Sequence, residues 1–195
     1  MKLVLFGIPV SIERSAWMTV LLLVLGSAGS GVLAGLEAAV LGGVVLFSAL
    51  VHELGHAWVA RGMGLPGVAI TLNALGGITQ HANPASPARH IAIASAGPAF
   101  GIALGLAAFI VGALGRDAVG AVPLGRQTLW YLVQVNLLWS LLNLLPLGPL
   151  DGRVILDNAR LLRRSSGSAA ATRAVAAIAV CAAAALAVLL TSWWG

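Results

Sequence analysis

Long apolar stretches that carry almost no charge constrain the fold of this chain more than any other feature. Of its 195 residues, 59% are hydrophobic and 9% are charged, against about 25% charged in an ordinary soluble domain. The apolar residues come in runs close to the ~20 residues that a helix needs to cross a bilayer. A soluble fold is therefore excluded, and the sequence predicts one helical membrane domain over residues 1–195.

Charged residues and clusters of Gly, Pro and Asn divide the chain into predicted transmembrane helices. The five predicted spans cover about residues 15–35, 37–61, 88–114, 127–146 and 169–192. The expected fold class is an all-α polytopic membrane protein with about five such helices.

The basic residues predict the orientation of these helices. If the N-terminus is cytoplasmic and residues 62–89 do not cross, nine of the 11 basic residues lie inside and two, Arg116 and Arg126, lie outside. This distribution follows the positive-inside rule, so we expect the N-terminus inside and the C-terminus outside. The arginines flank apolar runs and form no basic domain, which predicts no nucleic-acid partner. Ten of the 11 basic residues are arginine, a bias typical of GC-rich genomes, so we expect a prokaryotic plasma membrane.

Two segments have the composition of β-strands. Residues 3–12 are rich in β-branched and apolar side chains, and residues 68–80 alternate around a predicted turn from Asn73 to Gly77. The second segment begins and ends on the cytoplasmic side, so it predicts a hairpin whose backbone must be covered by protein or water. The alternative is a surface loop.

A metal-binding pattern lies near the inner end of the second predicted span, where the chain reads His52-Glu53-Leu54-Gly55-His56. Residues four apart share one face of a helix, so both imidazoles can reach a single cation, with Glu53 beside them to act on a water molecule. Zinc accepts such nitrogen and oxygen ligands in a tetrahedral array and keeps one position open in catalytic sites. The pattern therefore predicts one Zn²⁺ ion.

The depth of this pattern also favours a functional site. Counted from Arg61 as the interface anchor, His56 and His52 lie roughly 8 and 13 Å up the helix at 1.5 Å per residue. Ionisable side chains at such a depth are costly and mark function by default.

A catalytic zinc usually has three protein ligands, so one more is expected. Asp151 is the best candidate, because Pro146, Pro149 and neighbouring glycines interrupt the helix before it. The alternative is that Asp151 caps the helix that follows, and both roles are compatible. Asp157, between Arg153 and Arg160, is expected to form a surface ion pair. The remaining candidates are weaker because they fall at interfaces, in the outer loop or alone near the cytoplasmic face: Glu13, Glu37, Asp117, His81 and His90.

Taken together, these motifs resemble the site-2 protease family of intramembrane zinc metalloproteases. The matching segments are Phe6-Gly7-Ile8-Pro9-Val10, the H-E-L-G-H helix, Gly76-Gly77, Ala96-Gly97-Pro98, and the run from Asn143 to Gly152. They cover nearly the whole chain in the order of the family. One departure is Phe100-Gly101, where members of the family often carry an Asn.

The resemblance implies a role for each matching residue. His52, His56 and Asp151 are expected to bind zinc, Glu53 to act as general base and acid, and Asn143 to hold substrate or the oxyanion. It also implies that a small membrane-associated hairpin near the active site pairs with an unwound substrate.

The function that we expect is therefore regulated intramembrane proteolysis, in which a peptide bond in or near a transmembrane segment of a membrane protein is hydrolysed within the lipid bilayer. A non-catalytic membrane metal carrier, or a protease-like protein that only binds clients, is the alternative. Glu53 argues against it, because a transport site needs no proton acceptor beside its ligands.

Overall fold

A computed structural model describes residues 1–27 and 29–166 as a mostly helical fold with a small mixed sheet. The predicted span over residues 169–192 lies outside the described residues. In chain order the elements are β1 (Lys2–Leu5), β2 (Ile8–Ile12), α1 (Arg14–Gly26), α2 (Val32–Gly62), β3 (Ala69–Asn73), β4 (Gly76–Gln80), α3 (Pro87–Leu114), α4 (Arg116–Gly120), α5 (Gly125–Asn143) and α6 (Asp151–Ser166).

Helix α3 lies at the centre of the described helices and packs against α2, α5 and α6. Within the described ranges, α2 and α3 are the two helices long and apolar enough to cross a membrane, with 31 and 28 residues. The outward faces of α1, α2 and α3 carry large apolar side chains that are at least half exposed, including Trp17, Leu22, Leu33 and Ile110. Lipid is the natural cover for such faces.

The first predicted span differs from the structure. Helix α1 has 13 residues, which at 1.5 Å per residue reaches only about 20 Å and is short for a bilayer. Gly29 and Gly31, between α1 and α2, have positive φ angles of 92° and 94°, which lie outside the right-handed helical region and favour glycine. Helix α2 consequently begins at Val32, earlier than the predicted residue 37.

The strand prediction is confirmed, and the alternative of a surface loop is wrong. Strands β3 and β4 form an antiparallel hairpin. Residues 3–12 form two antiparallel strands, β1 and β2, because Phe6 and Gly7 turn the chain with φ angles of 51° and 76°. Strand β2 pairs with β3 in parallel, which joins the two hairpins into a sheet of order β1-β2-β3-β4.

One face of this sheet packs on α2. Its buried side chains are Ile8, Val10, Ile70 and Leu72, which share a core with alanines of the helix. Burial of apolar surface holds the sheet against the helix that carries the H-E-x-x-H motif. Strand β4 therefore runs beside that motif.

We expect Gly55→Ala to destabilise the fold, because the backbone of α3 lies close to α2 there. A Cβ on Gly55 would lie 2.5 Å from the backbone oxygen of Ala96, and overpacking of this kind costs about 1–3 kcal/mol. Gly43→Ala in the same helix is the control, since nothing lies within 4 Å of its position and alanine favours helix. Thermal unfolding in detergent should show a lower midpoint for Gly55→Ala alone. An unchanged midpoint would contradict the close packing.

Candidate metal centre

Helix α2 buries three ionisable side chains at one point. His52, Glu53 and His56 are 3%, 7% and 7% exposed, and each offers a ligand atom within 4.8 Å of the others. The two histidines are one helical turn apart, so their rings lie on the same face as the sequence predicts. Glu53 is next to His52 and approaches the same region from the side of strand β4.

Asp151 joins this cluster from a distant part of the chain. Its Oδ2 lies 3.1 Å from Nε2 of His52 and 3.4 Å from Nε2 of His56. The two Nε2 atoms are themselves 3.1 Å apart. In a tetrahedral zinc site with bonds of about 2.0–2.1 Å, neighbouring ligand atoms are about 3.3–3.4 Å apart. The three atoms therefore have nearly the spacing of one face of that tetrahedron.

The hydrogen bonds of the imidazoles are consistent with a cation at this point. Nδ1 of His56 lies 2.7 Å from the backbone oxygen of Ile93, so the ring donates through Nδ1 and turns the lone pair of Nε2 towards Asp151. Nδ1 of His52 is buried and has no partner among the described residues. A neutral His56 then places two acceptors, its Nε2 and a carboxylate oxygen, 3.4 Å apart. A positive ion between them removes their repulsion.

Local packing brings Asp151 to this position. It is the first residue of α6, and Ile155 and Ala159 of that helix pack against Ile91 and Ala94 of α3. The packing of α6 on α3 thus sets where the carboxylate meets the two imidazoles.

Gly97 of α3 provides the room in which the ligand atoms meet. A Cβ on this residue would lie 2.2 Å from Nε2 of His56 and 2.8 Å from Nε2 of His52. Only glycine fits without moving both rings. Pro98, the next residue, lacks the N–H that would bond to the Ala94 carbonyl and so loosens the helix beside Ile93.

A cavity of about 270 Å³ opens onto this cluster. Asn143, the last residue of α5, lies in its wall, and the amide nitrogen of Asn143 donates to the Trp139 carbonyl at 3.0 Å. His81 and His90, each of which stands alone in the sequence, line the same cavity. They are nine positions apart, one directly after β4 and the other near the start of α3, and this spacing matches no helix or strand period. The sequence therefore did not predict that they share a cavity.

Asp157 and Asn136 form polar contacts outside this cluster. Asp157 pairs with Arg153 at 2.7 Å and Arg160 at 3.3 Å, which confirms the expected surface ion pair. Asn136 is buried between helices and donates to Ser48 at 2.8 Å. Such a bond between helices is typical of membrane interiors, and a single Asn in an apolar stretch could have indicated it.

Comparisons with known proteins agree with this geometry. Residues 40–117 match the model of peptidase family M50. A Mycobacterium tuberculosis protein named as a zinc metalloprotease, Rip3, is 40% identical over 129 residues, covering 66% of this chain and 32% of that protein. A Synechocystis protein named as a zinc metalloprotease, sll0528, is 36% identical over 167 residues, covering 79% of this chain and 42% of that protein. This chain thus spans less than half the length of either relative.

The fold is similar to that of a solved site-2 protease from Methanocaldococcus jannaschii. The TM-score is 0.60 with 23% sequence identity, over 89% of this chain and 76% of the other. This likeness shows a shared fold, and together with the match of residues 40–117 to peptidase family M50 it agrees with the resemblance that the sequence motifs indicate.

We expect Gly97→Ala to reduce the metal bound per chain at least about tenfold, because the new methyl group displaces both imidazoles. Gly112→Ala in the same helix is the matched control, since its Cβ would meet Leu129 at an ordinary 3.6 Å. Elemental analysis of the purified variants measures the difference. Equal metal content in the two variants would show that the imidazoles do not converge beside Gly97.

Proposed function

We propose, from its kinship with the site-2 protease family, that this chain is an intramembrane zinc metalloprotease. Its reaction is hydrolysis of a peptide bond in or near a transmembrane segment of a membrane protein, as in regulated intramembrane proteolysis. The observation that carries the proposal is the meeting of His52, His56 and Asp151 beside the buried carboxylate of Glu53. The match to peptidase family M50 and the names of the relatives support it.

In this proposal His52, His56 and Asp151 hold one Zn²⁺ ion. Three protein ligands would leave one position of a tetrahedral site open, as a catalytic site requires, and all three residues line the cavity. Zinc, when bound, supplies a Lewis acid that polarises the scissile carbonyl and makes water acidic enough to attack near neutral pH.

Glu53 moves the proton in this reaction. It takes a proton from the attacking water and delivers it to the nitrogen of the leaving amine, as general base and then general acid. Glu53 is 7% exposed and lies beside His52 and His56, within the reach that a proton shuttle needs. Asn143 in the cavity wall has a second amide N–H beyond the one bonded to Trp139, and we assign it to hold substrate or the developing oxyanion.

The substrate segment must be extended when it is cut, because an intact helix hides its carbonyls inside its own hydrogen bonds. Strand β4 pairs with β3 along one edge. Gly77, Ile78 and Thr79 of β4 line the cavity together with the ligands. An unwound substrate that adds to the other edge of β4 would have its backbone held beside the metal.

The membrane arrangement that goes with this function is multi-pass. We propose five transmembrane segments in a prokaryotic plasma membrane, with the N-terminus in the cytoplasm and one domain over residues 1–195. The apolar α2 and α3 support two of them, and α5, with 19 residues, is about 28 Å long. Arg61 ends α2 on the side of the metal ligands, which supports a site near the cytoplasmic surface that water can reach.

Removal of the third ligand should remove the metal. We expect Asp151→Asn to bind zinc at least about a hundredfold more weakly than the parent, because one anionic ligand is lost from a buried site. Asp157→Asn is the matched control in the same helix, since the Asp157 side chain is 44% exposed and bonds only to arginines among the described residues. Zinc titration of the chelated proteins gives the affinities. Equal affinities would remove Asp151 from the ligand set.

Glu53→Gln should separate catalysis from metal binding. The amide accepts no proton at neutral pH, so we expect at least about a thousandfold slower cleavage of a membrane substrate, with zinc content unchanged. The assay uses parent and variant in liposomes with a labelled single-span substrate. If both cleave equally, Glu53 is not the proton shuttle. If neither cleaves while zinc remains bound, the alternative of a non-catalytic metal-binding protein takes its place.

A further inference from the structure

The hydroxyl group of Thr79 on strand β4 contacts the proposed general base. Its Oγ1 lies 2.7 Å from Oε2 of Glu53 and 3.0 Å from the backbone oxygen of Glu53. A hydroxyl has one proton to donate. The carboxylate is the nearer and the charged acceptor, so it forms the stronger bond. One oxygen of the shuttle carboxylate is therefore held by a side chain from the sheet.

Gly77 restricts the same carboxylate from the same face of the strand. Residues two apart on a strand point to the same side, and a Cβ on Gly77 would lie 2.3 Å from Cγ and 2.8 Å from Cδ of Glu53. The backbone of β4 thus lies directly against the Glu53 side chain. Ile78, between them, is 55% exposed and points away.

Through the contacts of Thr79 and Gly77 with Glu53, a change in strand β4 would alter the environment of the proposed general base. Among the described residues, β4 pairs only with β3 and is an edge of the sheet. If substrate adds to this edge, as the proposed function has it, the strand gains backbone hydrogen bonds and loses freedom. Thr79 is the residue through which that ordering reaches Glu53.

We propose that Thr79 is a positioning residue: its hydroxyl group fixes the Glu53 carboxylate for proton transfer and links substrate pairing on β4 to the orientation of the base. This proposal rests on the proposed protease function and adds a residue to it. Among the described residues, the Thr79 hydroxyl bonds to Glu53 and not to the proposed metal ligands. Its contribution is to hold one oxygen of Glu53 so that the other faces the water, and orientation of this kind has a large influence on rate.

The test compares Thr79→Val, which keeps the shape and removes the hydroxyl, with Thr79→Ser, which keeps the hydroxyl and removes the methyl. Partners of this kind change activity about 10- to 100-fold. We expect Thr79→Val to lower kcat by at least about tenfold, with KM, zinc content and thermal midpoint unchanged. Thr79→Ser should retain kcat within about threefold of the parent.

Thr71→Val is the matched control for removing a hydroxyl from this sheet. Thr71 lies on β3 opposite Ile78. It should leave kcat unchanged, so that a loss confined to Thr79→Val reports on the bond to Glu53.

Several results would overturn the proposal. They are a kcat of Thr79→Val equal to that of the parent, an equal loss in the Val and Ser variants, or a loss explained by KM or zinc content. Failure of the proposed function is distinguishable, because it would show as a zinc-loaded parent that cleaves no membrane substrate, and equal cleavage by the parent and Glu53→Gln would remove the positioning role together with the base. If the proposed function stands and Thr79→Val behaves as the parent does, only the positioning role is lost.

Discussion

The contact of two imidazole nitrogens with one carboxylate oxygen is the interaction on which the rest of this structure depends. Nε2 of His52, Nε2 of His56 and Oδ2 of Asp151 lie within 3.4 Å of one another in a largely buried place, where an unpaired charge is costly. His52 and Asp151 are 99 positions apart in the chain, so the contact requires α2, α3 and α6 to be correctly packed. The Ile93 carbonyl fixes one ring, Gly97 provides the room, and the apolar contact of α6 with α3 holds the carboxylate. A divalent cation at this point would offset the repulsion between these acceptor atoms and so stabilise the arrangement.

The sheet is the second constraint. It acts on the carboxylate of Glu53, which is not one of the proposed metal ligands. A short sheet would be an unusual partner for a membrane helix if it only covered apolar surface, since its backbone groups must be satisfied. Here it places β4 along Glu53, with the Thr79 hydroxyl on one carboxylate oxygen and Gly77 against its stem. The proposed ligands His52 and His56 share α2 with the proposed proton shuttle Glu53, but the contacts that orient them come from different elements, α3 for His56 and β4 for Glu53.

Local patterns in the sequence predicted much of this arrangement. The four-residue spacing of His52 and His56 predicted a shared helical face, and alternating β-branched residues predicted the hairpin. Interactions between distant segments were harder to predict. The parallel pairing of β2 with β3 and the Thr79 bond depend on how the hairpins dock on α2. The early end of α1 was also not predicted. The glycines at 29 and 31 are visible in the sequence, but their positive φ angles are seen only in the fold.

X-ray absorption at the zinc edge of the purified, zinc-loaded protein tests the central claim most directly. The account predicts two imidazoles and a low-atomic-number remainder at about 2.0–2.2 Å, with one oxygen ligand supplied by Asp151 and altered in Asp151→Asn but unaltered in Asp157→Asn. A sulfur shell at about 2.3 Å, fewer than two imidazoles, or a spectrum of Asp151→Asn identical to that of the parent would contradict it.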